Sequence, residues 1–179
     1  MTKKEIKAKV LELLSAGVPK STVFKQLTGQ GVKDDQLAYY IASYVNPQRS
    51  EQQERKVNIL VTILLIQTLG AVVLTYAVTS AFGTGARWVA VLTVLLIQGL
   101  MIFGFYHHKL AAYNMYSLLC FVSAPRWFND LSTVSASSIG AMILNFALIG
   151  FVLYLRHKLF PDVFLFGPVR RKGEHWFVD

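Results

Sequence analysis

The chain holds 179 residues, of which 54% are hydrophobic and 16% charged, with a formal net charge of +8 and a mean hydropathy of +0.43. A soluble domain carries roughly a quarter charged residues, and a disordered chain needs low hydrophobicity, so both classes are excluded. The charge is unevenly placed. Ten Lys/Arg and six Asp/Glu lie at or before Lys56, whereas residues 57–155 hold only Arg87, Lys109, Arg126 and Asp130. The pattern predicts an all-α, polytopic integral membrane protein with a charged N-terminal head.

Residues 1–46 read as a three-helix module. Thr2 and Glu5 have the spacing of a capping box, and Ile6, Val10, Leu13 and Leu14 recur behind them at helical period. Gly17 suits the left-handed position that closes such a helix. Pro19 then opens a second helix with Val23, Phe24 and Leu27 on one face, and Gly29 and Gly31 stop it. Asp34 is expected to cap a third, carrying Leu37, Ile41 and Tyr44. The second and third helices resemble each other at a 14-residue offset, Gly17-Val18 with Val23 and Leu27 against Gly31-Val32 with Leu37 and Ile41. This layout is that of a helix-turn-helix, which would turn Lys20, Ser21, Thr22, Lys25 and Gln26 toward nucleic acid. No specific motif accompanies it. A basic head beside a membrane meets protein or anionic lipid more simply, so nucleic acid is not the expected partner. Residues 47–56 are polar, with charges of both signs, and form a linker or a helical extension of the first apolar segment.

A membrane span needs about 20 apolar residues, since a helix rises 1.5 Å per residue through roughly 30 Å of hydrocarbon. Residues 57–81, 88–106 and 136–155 meet that length. A fourth segment, 110–128, has fifteen residues before Pro125 and reaches span length only by including Trp127 and Phe128. Lys and Arg mark cytoplasmic flanks. Arg49, Arg55 and Lys56 precede the first span; Arg156, Lys158, Arg170, Arg171 and Lys172 follow the last. Both termini are therefore expected in the cytoplasm, which requires an even number of crossings and makes the segment 110–128 the third of four. In a bacterium the location would be the inner membrane. No cleavable leader is expected, because the first long apolar run starts only near residue 57.

Inside the spans, residues 61–69 and 92–100 form a repeat with six of nine positions identical at a 31-residue offset. The informative shared residues are Thr62 with Thr93 and Gln67 with Gln98. Both glutamines lie about ten residues into oppositely directed spans, hence near the bilayer midplane. Asn145 lies near the middle of the last span. A lone amide in hydrocarbon is costly, so these side chains should find partners in the bundle or across an oligomer. Interhelical bonding explains them without invoking a substrate. Paired small residues, Gly70 with Ala71, Gly99 with Gly104 and Ala136 with Gly140, would permit close helix approach. No Asp, Glu, Lys, Arg or His occupies a span interior, which argues against proton-coupled transport.

No catalytic constellation appears. Asp130, Asp162, Glu174 and Asp179 form no close pair, and Ser137-Ser138-Ile139-Gly140 is not a nucleophile elbow. Gly83-Thr84-Gly85 falls where it simply permits an external turn. His107, His108 and His157 share the cytoplasmic interface, but adjacent helical residues diverge by about 100° and chelate poorly. Cys120 lies alone in the third span, so no internal disulfide is possible. Neither a metal nor an organic cofactor is expected.

Residues 156–179 form an aromatic and basic interfacial tail with Phe164, Phe166, Arg170, Arg171, Lys172, Trp176 and Phe177 as its contact residues; Lys172-Gly173 suggests a surface turn. Each basic residue near an anionic leaflet contributes roughly 1 kcal/mol. Together with Lys20 and Lys25 this set would meet lipid or a partner protein. The expected function is non-enzymatic: binding within the membrane to another protein, in an accessory, regulatory, assembly or toxin-immunity role. Two alternatives are a small homo-oligomeric channel or carrier lined by Gln67, Gln98, Thr62, Thr93 and Asn145, and a membrane-tethered helix-turn-helix sensor.

Overall fold

A computed structural model of the protein describes residues 2–129 and 136–163. The described chain is all-helical, in the order α1 Lys3–Ser15, α2 Lys20–Leu27, α3 Asp34–Ala42, α4 Pro47–Val78, a single 3-10 turn Thr79–Phe82, α5 Thr84–Tyr106, α6 Leu110–Asn129 and α7 Ala136–Leu159. It divides into two compact units. One comprises Met1–Ser50 and the segment from Arg156 onward; the other is Glu51–Leu155.

In the first unit the punctuation of α1 follows its sequence closely. Thr2 Oγ1 accepts from Glu5 N at 3.4 Å and Glu5 Oε2 accepts from Thr2 N at 2.9 Å, so two N-terminal donors that the helix leaves open are satisfied. The bond from the Thr2 backbone is the main reason that the Glu5 carboxyl sits below its ordinary pKa. At the other end Gly17 has φ +80°, Val18 N donates to Leu13 O at 3.1 Å and Gly17 N to Leu14 O at 3.1 Å. That is a Schellman closure, with glycine supplying the left-handed residue. Helix α1 packs on α2 and α3. The unit buries Ile6, Val10 and Leu14, Val23 and Leu27, Leu37 and Ile41, and, from the far end of the chain, Leu159, Phe160 and Val163. Each such side chain stabilises the fold by roughly 1.5–3 kcal/mol relative to exposure.

Two expectations for α3 need correction. Asp34 does not cap the helix: Lys33 is the N-cap residue, with φ −61° and ψ 142°, and no side chain bonds there. Asp34 is already the first helical residue, so its carboxylate, like that of Asp35, favours the helix through the N-terminal dipole instead. Tyr44 lies beyond the helix, which ends at Ala42 with Ser43 as its C-cap.

Residues 47–56 belong to α4, which runs without interruption from Pro47 to Val78. Asn46 Oδ1 accepts from Gln48 N at 3.0 Å, and Pro47 at the first helical position gives up an N–H that would have had no helical acceptor. Among the described residues three helices are long and apolar enough to cross a membrane: Pro47–Phe82, Thr84–Tyr106 and Met142–Leu159. The apolar stretch Leu110–Ser123 of α6 is shorter. Gly83, at φ +82°, lets the chain turn from the 3-10 segment into α5. There Arg87 Nη2 donates to Ser80 O at 3.0 Å while its guanidinium lies 4.7 Å from the Tyr76 ring. The same ring meets Trp88 edge-on at 5.9 Å.

Helices α5 and α6 form a tight pair. Phe105 meets Tyr113 edge-on at 4.7 Å and Tyr116 at 5.7 Å. A Cβ placed on Gly104 would fall 2.5 Å from the Cβ of Ala112, so glycine is what allows the two backbones to approach. Among the described glycines Gly70, Gly99 and Gly140 meet no such neighbour.

Candidate functional site

The mid-span polar residues are disposed in two ways. The hydroxyls turn back on their own helices: Thr62 Oγ1 donates to Asn58 O at 2.9 Å, and Thr93 Oγ1 to Val89 O at 2.8 Å. Both threonines are exposed on the chain. Thr68, next to the repeat's glutamine, is buried and bonds Leu64 O at 2.7 Å. Gln67, Gln98 and Asn145 are half-exposed. No hydrogen bond joins Gln67 to Gln98 or reaches either amide among the described residues.

In the first unit the structure brings together residues from opposite ends of the sequence. Lys20, the first residue of α2, donates through Nζ to Asp162 Oδ2 at 2.7 Å; the two side chains are 18% and 6% exposed. They border a cavity of about 230 Å³ whose walls are Leu14, Val18, Pro19 and Tyr44, with Asn46 and Arg49 completing the rim. Among the described residues Arg49 has no carboxylate within ion-pair distance. Lys25 is exposed, and Arg156 is buried. Arg156 is therefore not a surface cation. The tail residues Phe164, Phe166, Arg170, Arg171, Lys172, Trp176 and Phe177 lie outside the described residues.

The α5–α6 connection holds the one non-glycine residue with positive φ among those described, His108 at φ +49°. His108 N donates to Phe105 O at 3.0 Å and Lys109 N to Gly104 O at 2.8 Å, the same closure that Gly17 makes for α1. A β-carbon in this conformation costs roughly 1–2 kcal/mol. His108 Nδ1 is buried without a hydrogen-bond partner. Burial depresses its pKa below the ordinary histidine value; Glu54 opposes the shift and His107 adds to it.

No family model, curated protein or solved structure matches the chain. The functional reading therefore rests on these residues. Among the described residues no group of three His, Cys, Asp or Glu could hold a metal ion.

Sequence reasoning did not reach Asp162, Arg49, Tyr44 or His108 as site residues. Asp162 and Lys20 are separated by 142 positions, and no local pattern announces such a pair. The one available signal was Asp162 itself, the first of three acidic residues in a segment rich in basic and aromatic ones. For His108 the signal was its position just beyond an apolar helix, where glycine or asparagine is usual.

The His108 environment predicts a pH effect. Its folded pKa lies below the unfolded one, so on acidification the unfolded chain takes up this proton first. The contribution to stability is complete above about pH 6.5. It declines as the pH falls toward the folded pKa and is level below it. Thermal melts of the protein in detergent between pH 7.5 and 5 should show the wild type losing more stability than His108→Asn, which tolerates the left-handed conformation and does not titrate. Equal losses would exclude this source.

Proposed function

We propose that the protein is a four-span membrane protein, with both termini in the cytoplasm, that acts without catalysis by binding another protein inside the bilayer. The observation that carries this reading is the state of Gln67 and Gln98: two amides in candidate spans, half-exposed and without hydrogen bonds among the described residues. Lipid offers such groups nothing, so each needs a partner beyond the described residues, and a second polypeptide in the bilayer can supply it.

Several features support the topology. α6 has 20 residues, about 30 Å of helix and enough for a third crossing. The Arg87, Tyr76 and Trp88 cluster fits the aromatic belt of the external interface. Arg55 and Lys56 before the first span, and Lys158 after the last, fit the cytoplasmic side. A reporter fused after Asp179 should be active in the cytoplasm, and an external signal there would overturn this topology.

The partner reading favours contact over conduction because Thr62 and Thr93 have directed their hydroxyl protons to their own helices. Lys20, committed to Asp162, is likewise poorly placed to meet a phosphate of nucleic acid. The direct test is Gln67→Leu combined with Gln98→Leu. Intramembrane polar contacts contribute roughly 0.6–2 kcal/mol each, so loss of both should weaken the complex by about tenfold or more. Cross-linking in membranes should capture the wild type with its partner or a second copy and release the double variant as a single inserted chain. A wild type that is already monomeric and uncross-linked would remove the proposal. Unchanged complexes coupled with lost flux in reconstituted vesicles would favour a channel.

A further inference from the structure

We propose that the cavity of the first unit binds a phosphodiester monoanion, the group carried by phospholipid headgroups. Its walls are apolar, from Leu14, Val18, Pro19 and Tyr44, and its charged groups are Lys20, Asp162 and Arg49. Lys20 and Asp162 neutralise each other at 2.7 Å. Among the described residues that leaves one uncompensated positive charge, Arg49, whose planar guanidinium fork matches two oxygens of a phosphate. A single net cation fits a diester, which carries one negative charge, better than a monoester, which carries nearly two at neutral pH. The volume of about 230 Å³ is below the roughly 300–1,000 Å³ of pockets for drug-sized ligands. It suits a headgroup whose acyl chains stay outside.

The source follows from where Arg49 stands on α4. It precedes Val57, where the apolar run begins, by eight residues of one continuous helix, or about 12 Å. The polar headgroup layer is roughly 5–8 Å deep on each side of the hydrocarbon, and an arginine side chain extends toward such a layer while its stem covers apolar surface. This step rests on the proposal that α4 enters the bilayer near Val57. A soluble phosphodiester would meet the same residues, and the experiment separates the two sources.

The test uses native mass spectrometry of the full-length protein in detergent, titrated with phosphatidylglycerol, with diacylglycerol lacking the phosphate, and with soluble glycerophosphoglycerol. Phosphatidylglycerol should occupy one site more tightly than the rest. Arg49→Gln should weaken that site by about tenfold or more, and Val18→Phe, which fills the cavity without changing charge, should weaken it as well. Arg55→Gln, also an exposed arginine of α4 but outside the cavity, should leave it unchanged. Equal binding of diacylglycerol, or equal losses in Arg49→Gln and Arg55→Gln, would overturn the site. Soluble glycerophosphoglycerol binding as tightly as the lipid, and with the same dependence on Arg49, would support the phosphodiester chemistry and assign a soluble source. Because that arm needs no bilayer, it also tells failure of the site apart from failure of the topology.

Discussion

Gly104→Leu should be among the most damaging single substitutions in the second unit. The first added atom would already fall 2.5 Å from Ala112 Cβ, closer than two carbons can stand, and the rest of the side chain would follow it into the α5–α6 contact. Overpacking of this kind costs about 1–3 kcal/mol where neighbours can shift. Here the shift is obstructed. Phe105, the next residue, is fully buried against Tyr113 and Tyr116, and Gly104 O holds the helix closure by accepting from Lys109 N. The expected loss is at the upper end of that range, read as a lowered melting temperature in detergent with insertion retained. Gly104→Ala should cost less, and the pair Gly104→Ala with Ala112→Gly should recover most of the loss, since it transfers one methyl group across the same contact. Failure of the pair to recover would show that something other than this close approach fixes glycine at position 104.

How far these features are legible in the sequence depends on the distance along the chain over which each is decided. The ends of α1 are decided within a few residues, and Thr2, Glu5 and Gly17 declare them. The long apolar helices are equally local, because composition alone sets them apart. The boundary near residue 47 is less plain. The charges of Arg49, Glu51, Glu54, Arg55 and Lys56 leave a linker and a helical extension both open, although Asn46-Pro47 is a helix-start signal and the charged residues have good helix propensity. The misassigned cap at Asp34 is an error of one position. Asp, with a short acceptor, serves equally as a cap or as a first-turn residue, and only the backbone angle at Lys33 decides between them.

Tertiary proximity is not legible in the same way. Glycine at positions 70, 99, 104 and 140 stands out for its size, but size is only an opportunity for contact, and α6 meets α5 at Gly104 alone among these. The repeat containing Gln67 and Gln98 is visible because both copies lie in sequence. That its amides have no hydrogen bond among the described residues becomes visible only when the helices are placed. The association of residues 156–163 with the N-terminal helices is hidden for the same reason: by composition α7 reads as a span followed by an independent tail, although Leu159, Phe160 and Val163 are buried in the first unit.

The ion pair at the centre of that association supplies the other large expected effect. Asp162→Asn should destabilise the first unit by more than a surface pair would, because Asp162 is 6% and Lys20 18% exposed. Exposed pairs contribute about 0–1 kcal/mol, whereas removal of one partner from a buried pair costs about 3–5 kcal/mol by leaving a charge without compensation. The residual exposure of Lys20 lets water reach its ammonium, so a loss of about 2–3 kcal/mol is expected, between those limits. The decisive comparison is with Lys20→Met alone and with Lys20→Met combined with Asp162→Asn. If the cost arises from a stranded charge, Asp162→Asn and Lys20→Met should each be costly and the double variant less so than the sum of the two. Hydrogen exchange of the full-length protein can localise the effect: protection should fall in α2 and around Phe160 while the α5–α6 pair keeps its own. Strict additivity, or equal loss of protection in both units, would mean that Lys20 and Asp162 act separately and that their 2.7 Å contact does not join the two ends of the chain.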